Sequence, residues 1–395
     1  MKAVKKGFND DAKAYFKRLT RSQVLLLEEY SAGPSQAGEG FIKISANEND
    51  FGVAPSVLEA VSARLAVPGL NRYPDSDCAA LREALSRNLR TPPDWFLVGN
   101  GLDDVIQILA MTFISHEDEV IIPAMSFGVY ESVIRLLGAM PVMVPMRPDL
   151  SIDVAAMAGA VTSRTKMVIL CNPNNPTGTI VGTQEFDELV EGLAHMPLSP
   201  LLVVDQAYVD YVAPGEDYPD VMKYARNYRN IVALRTFSKI SGMAGFRVGY
   251  AIARPGLLSY MYRVRQPYTV NSLAQAAAVA DVSDESAAKF KKRTMASVAK
   301  NRERLEGFLG EEGIPFVRSQ ANFVFAFYDR PYEDLKYLSS LLAEKKILVR
   351  TLRHENAPCG IRFSIGTDGE NDLLIDALSD LLPEFRGKRG ALDEI

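Results

Sequence analysis

Between about residues 96 and 252, short apolar runs alternate with amphipathic stretches, and this constrains the fold more than any other feature of the chain. Candidate strands are Glu119–Ile122, Pro141–Val144, Met167–Leu170, Leu201–Val204, Ile231–Leu234 and Val248–Ile252. Between them lie helix-like segments: Leu102–Phe113, Val129–Leu137, Val154–Val161 and Gln184–Leu193. Strands apolar throughout, separated by helices, belong in an α/β sheet covered on both faces. Such sheets place their sites at the carboxyl ends of the strands. After about Tyr268 the pattern changes to a long helical stretch (Glu285 to Leu309), then Asn322–Phe327, a helix from Tyr332 to Lys345, Ile347–Val349, Ile361–Ile365 and a last helix over Asn371–Leu382. This reads as a smaller α+β unit. The expected division is residues 1–45 as an arm plus a segment of the smaller unit, 46–284 as the larger domain and 285–395 as the smaller one. The end, EFRGKRGALDEI, reads as a loose tail.

Polar residues collect where the strands end. CNPNNPTGT (Cys171 to Thr179), DQAYVDY (Asp205 to Tyr211) and RTFSKISGMAGFRVGY (Arg235 to Tyr250) follow three successive strands. Singly, each has an ordinary explanation: Asn, Pro and Gly make turns, and an Asp caps a helix. Together they supply what a pyridine aldehyde cofactor needs. Lys239 offers an amine for the aldehyde. Asp205 offers a carboxylate to keep a ring nitrogen protonated, and Tyr208 and Asn175 offer neutral donors for a ring oxygen. For a phosphate, Ser238 brings a hydroxyl and Arg247 a guanidinium. Upstream, GNGLDD (Gly99 to Asp104) opens a helix behind two glycines, so that Gly101, Leu102 and Asp103 can present backbone amides to an anion.

Composition excludes other classes. The 395 residues carry 44 Lys and Arg against 49 Asp and Glu, a formal charge of -5 without a basic run, which argues against nucleic acid. Three widely spaced cysteines argue against a disulfide framework and for a reducing compartment. His116, His195 and His354 are scattered, so no metal is expected. The basic start has no apolar core after it and no stretch is long enough to span a membrane; a cytoplasmic protein is expected. A nucleotide-binding sheet is disfavoured by the lack of a Gly-x-Gly-x-x-Gly turn or a phosphate loop with lysine.

The set of segments resembles the fold-type I pyridoxal-phosphate (PLP) enzymes, in the histidinol-phosphate aminotransferase branch of the aspartate aminotransferase family. The resemblance runs from about Lys43 to Asp376. It is carried by SANENDFG (Ser45 to Gly52), RYPDSD (Arg72 to Asp77), GNGLDD, MSFGVY (Met125 to Tyr130), the three strand-end segments, RQPYTVN (Arg265 to Asn271), ANFVF (Ala321 to Phe325), ILVR (Ile347 to Arg350) and IRFSIGT (Ile361 to Thr367). It implies a mostly parallel seven-stranded sheet between helices. It also implies a Schiff base at Lys239, with the same lysine shuttling a proton, and Asp205 on the pyridine nitrogen. Asn175 and Tyr208 then hold the ring oxygen, and Phe127 stacks on the ring. Leu102, Asp103, Ser238 and Arg247 hold the phosphate. Arg362 clamps a substrate carboxylate, with Asn47 and Arg350 facing the substrate. Tyr73 reaches the cofactor of a second subunit, implying a homodimer with shared sites.

Four positions depart from the branch: Asp50 for Pro, Leu102 for Ser or Ala, Phe127 for Tyr, and Gln206 for Glu. The first three touch the substrate and cofactor surroundings, while Asn175, Asp205 and Lys239 are intact. The reaction expected is ping-pong transfer of an amino group between an amino acid or amine (histidinol phosphate leading, aromatic amino acids next) and a 2-oxo acid such as 2-oxoglutarate. Decarboxylation of a phosphorylated amino acid is the alternative, and a non-catalytic PLP-responsive regulator a third reading.

Overall fold

The computed structural model describes residues 14–27, 40–196, 198–328, 330–353 and 357–387. Most of the N-terminal arm, the tail beyond 387 and His354 lie outside the described residues.

The strands are β1 (Ile42–Lys43), β2 (Phe96–Gly99), β3 (Glu119–Pro123), β4 (Met140–Val144), β5 (Thr165–Cys171), β6 (Leu201–Asp205), β7 (Ile231–Thr236), β8 (Gly249–Ile252), β9 (Phe316–Val317), β10 (Phe323–Phe327), β11 (Ile347–Leu348), β12 (Arg350–Leu352) and β13 (Gly360–Ser364). The longer helices are α1 (Pro55–Ala66), α2 (Ala79–Leu89), α3 (Leu102–Phe113), α4 (Val129–Leu136), α5 (Val154–Gly159), α6 (Thr183–Ala194), α7 (Val221–Asn227), α8 (Pro255–Val264), α9 (Ser272–Ser283), α10 (Glu285–Glu311), α11 (Tyr332–Glu344) and α12 (Asp368–Gly387).

Seven strands form one sheet in the order β2-β8-β7-β6-β5-β3-β4. All its pairings are parallel except those of β8, which runs against both neighbours. Strand β5 shows why the sheet is apolar on both sides. Its side chains alternate: Val168 and Leu170 join a core with Phe186 and Leu189 of α6, and Met167 and Ile169 join another with Ile106 of α3 and Ile134 of α4. A fully buried side chain of this size contributes about 1.5–3 kcal/mol, so the interior of such a strand, Met167 to Leu170, is apolar on both faces.

A second, antiparallel sheet has the order β12-β13-β10-β9, and α10, α11 and α12 share a core with it. Strand β1 pairs in parallel with β11, which brings the segment just before the large domain to this region. Asp284 caps α10 by accepting the Ser286 N–H at 2.7 Å. This helix places Ala287 and Phe290 in the core of the large sheet and Val298, Leu305 and Leu309 in that of the small one.

After β1 the chain runs as a strap, residues 44–52, between the two sheets. Ser364 N–H donates to Ile44 O at 3.0 Å, and Asn49 Nδ2 donates to Ile240 O at 2.8 Å. Gly242, at φ +67°, permits the contact on its other side: a Cβ there would lie 1.9 Å from Gly52 O.

Candidate active site

The carboxyl ends of β5, β6 and β7, the start of α3 and the strap enclose a cavity of about 520 Å³, closed on the far side by β12 and β13. Lys239 enters it from the loop after β7. Its Nζ donates to Ala46 O at 3.2 Å and lies 5.7 Å from the centre of the Tyr208 ring. Burial lowers the amine to about 8, assisted by the cations Arg362 and Arg247 and opposed by Glu48 and Asp103. The lysine is thereby a better nucleophile and proton acceptor near neutrality than a solvated one.

Asp205 ends β6 and is only 2% exposed. Burial raises its carboxyl to about 6, while hydrogen bonds from Tyr130 and from the Ala207 amide act the other way. Those donors sit at 2.5 Å from Oδ2 and 2.9 Å from Oδ1 respectively. A buried carboxylate held by two donors suits a cationic ring nitrogen.

Beside it, the Tyr208 hydroxyl accepts from Asn47 Nδ2 at 3.1 Å and from Asn175 Nδ2 at 3.4 Å. With two donors already on its oxygen, Tyr208 has its own proton to offer a third group. Burial pushes that phenol up, so it stays protonated. Arg362 ties these residues to the small sheet, donating to Asn175 Oδ1 at 2.6 Å and to Ser45 O at 2.8 Å. Arg350 and Leu352 of β12 line the same wall.

The other end of the cavity gathers groups whose chemistry suits an anion. Gly101, at φ +84°, precedes α3, and a Cβ on it would lie 2.4 Å from Arg247 Nη2. A Cβ on Gly249 would lie 2.7 Å from the Leu102 nitrogen. Both glycines therefore let the guanidinium and the first amides of α3 approach one point, where Ser238 adds a hydroxyl. Arg247 also donates to Asp103 Oδ2 at 3.2 Å. Phe127 forms a side wall, its ring edge-on to Tyr130 with centroids 5.6 Å apart.

The structure thus gathers Asn47, Leu102, Asp103, Phe127, Asn175 and Asp205 around one cavity with Tyr208, Ser238, Lys239, Arg247, Arg350 and Arg362. Gly101 shapes this cavity from behind Arg247. Tyr73 does not line it; 80% exposed, it stacks on Tyr268 with centroids 4.5 Å apart. The sequence pattern left out Glu48, Ser126, Cys171 and Leu352, which also line the cavity, and above all Tyr130. Tyr130 lies within MSFGVY, but nothing in that segment marks it, since its place under the cavity depends on how α4 is seated. Among the described residues no group of three or more His, Cys, Asp or Glu is placed to hold a metal ion, and no helix is long and apolar enough to cross a membrane.

Comparison with known proteins agrees with this geometry. Residues 39–378 match the family described as aminotransferase class I and II. The histidinol-phosphate aminotransferase of Moorella thermoacetica is 40% identical over 342 residues, 86% of this chain and 85% of that protein. The aromatic amino acid aminotransferase of Cutibacterium acnes is 37% identical over 91% of this chain and 97% of that protein. Among solved structures, histidinol-phosphate aminotransferase from Sinorhizobium meliloti in complex with pyridoxal-5'-phosphate superposes with a TM-score of 0.82 at 27% identity, covering 92% of this chain and 98% of that one. From residue 39 to residue 378, then, cavity and sheet included, this chain belongs to the aminotransferase class I and II family.

Proposed function

We propose that the chain is a PLP-dependent aminotransferase moving an amino group between histidinol phosphate and 2-oxoglutarate. The observation that carries this reading is the convergence of a lysine amine, a buried carboxylate and a glycine-lined helix N-terminus on one cavity. The donor set fits the cofactor. Arg247, Ser238 and the Leu102 and Asp103 amides would hold its phosphate, Asp205 its ring nitrogen, Asn175 and Tyr208 its ring oxygen, Phe127 its ring face and Lys239 its aldehyde carbon. When bound, PLP supplies an electron sink for the bonds at the substrate α-carbon.

The chain supplies the rest. Lys239 Nζ takes the α-proton and returns it, a task suited to an amine brought down to about 8. Arg362 Nη1 and Nη2 meet a substrate carboxylate, exchanging for it the Asn175 and Ser45 oxygens they now contact. Arg350 and Asn47 face the remainder of the substrate, and Arg350 suits a phosphate. Because one cavity serves both half-reactions, donor and acceptor bind in turn.

Aromatic amino acids are the second donor class, supported by relatives such as the Cutibacterium acnes enzyme. The same reading divides the chain at 46 and 285. It makes the enzyme a cytoplasmic homodimer, with the exposed Tyr73 completing the neighbouring site.

Purified protein given histidinol phosphate or an aromatic amino acid together with 2-oxoglutarate is expected to form glutamate; release of carbon dioxide without glutamate would establish a decarboxylase instead. Lys239→Ala should lose the visible absorbance and the adduct fixed by borohydride. Its turnover should fall by at least about 100-fold, the lower range for a positioned acid–base group; turnover at the parental rate would remove Lys239 from the mechanism.

A further inference from the structure

Tyr130 is a tyrosine of α4 that is only 1% exposed, yet its hydroxyl reaches across 75 residues of sequence to a carboxylate in the cavity. The ring borders an apolar lining of Ile106, Leu109, Ile134, Ile169 and Leu234. Beyond Asp205, the thiol of Cys171 is its polar neighbour. Burial and the adjoining carboxylate push the phenol well above its ordinary range, so the hydroxyl keeps its proton and acts as a donor. The ring also meets Phe127 edge-on, and the Tyr130 N–H donates to Phe127 O at 3.1 Å, so the entry to α4 carries both the side wall of the cavity and the support beneath it.

A carboxyl in this position has two ways to share a proton with a ring nitrogen. In one the proton sits on nitrogen, leaving an ammonium-like ring and a carboxylate; in the other it sits on oxygen, leaving a neutral acid and a neutral ring. Removal from water favours the neutral pair. Donors to the carboxylate favour the charged one, because a hydrogen bond to an ionised acceptor is worth more than one to a neutral acid. Among the described residues Asp205 has two such donors, one to each oxygen, and only the Tyr130 hydroxyl comes from a side chain.

Resting on the cofactor reading above, we propose that Tyr130 is a positioning residue for Asp205. By donating to Oδ2 it keeps that carboxylate anionic and fixed in rotation, and so holds the shared proton on the ring nitrogen. No proton leaves Tyr130; it biases a single proton between Asp205 and the ring.

The test is ¹⁵N NMR of the holoenzyme loaded with cofactor labelled at the ring nitrogen. In Tyr130→Phe the resonance is expected to move towards that of an unprotonated pyridine. kcat should fall roughly ten- to a hundredfold, the scale of one hydrogen bond to a charged group, with KM for the amino donor held. Replacing Tyr130 by 3-fluorotyrosine keeps the ring and makes the hydroxyl a stronger donor, so the resonance should move the opposite way; this second protein decides the matter if Tyr130→Phe does not fold. A ¹⁵N resonance at the parental position in the foldable variants, with a normal visible spectrum, would show that Tyr130 only packs the sheet and would overturn the proposal. Absence of a visible spectrum in the parent protein would instead overturn the cofactor reading itself.

Discussion

A lysine amine in water titrates near 10.4, and at Lys239 withdrawal from solvent, with Arg362 on the same cavity wall, brings it to about 8. That difference is measurable before any catalysis. Competitive acetylation of cofactor-free protein across a pH series should show Lys239 reacting with a midpoint near 8, while solvent-exposed lysines react near 10. Arg362→Gln should move the Lys239 midpoint upward, and a parental midpoint close to 10 would contradict the assigned environment. At this scale the sequence pattern marked Asn175, Asp205 and Lys239 readily, because each stands at or just past the end of an apolar strand, where a polar residue breaks the run. Tyr130 was not legible in the same way. Its sequence neighbours describe a helix packed on a sheet, and the hydrogen bond to Asp205 depends on how that helix is seated.

Among the elements, the strap carries the position that departs most in character from the branch the chain resembles. Asp50 is pushed to about 7, first by burial and then by Glu370 and Glu48, with Lys43 as the opposing cation. Its Oδ2 is buried without a hydrogen-bond partner among the described residues, while Lys43 is paired to Glu48 at 3.0 Å. The folded chain keeps this proton up to about pH 7, whereas an unfolded chain releases it near 3.8. Stability is therefore lost as the pH rises between those values. Asp50→Asn removes the charge at nearly constant shape and should stabilise the protein at pH 8 by on the order of 2–4 kcal/mol. The gain should vanish near pH 4; thermal melts of the pair at both pH values measure it, and a gain independent of pH would contradict the account. The strap itself was legible only as a motif. The apolar strands β3, β5, β6 and β7 could be read directly because both of their faces are buried. Helix α9 could not: SLAQAAAVADVS packs through Ala274, Ala277 and Ala278, which give no apolar stripe. Strand β2 is four residues long and, among the described residues, pairs only with β8, and β12 is the triplet Arg-Thr-Leu, none of it fully buried. Short elements of this kind are defined by their partners.

For the molecule as a whole, α10 belongs to two cores at once, and Tyr73 with Tyr268 forms an aromatic pair facing outward. An exposed stacked pair of this kind suits an interface. Sedimentation equilibrium should return twice the chain mass at micromolar concentration, and co-folding of Lys239→Ala chains with Tyr73→Ala chains should restore activity that neither has alone. A monomer mass would remove the shared site. The groups that close the cavity also come from distant parts of the chain: Arg362 grips Ser45 across 317 positions and Asn175 across 187, and Asn47 reaches Tyr208 across 161. Contacts so far apart in sequence are among the last to be made. A ribosome must release β13 before Arg362 can find Ser45, so until that strand has emerged a growing chain lacks the wall that ties the strap to the small sheet.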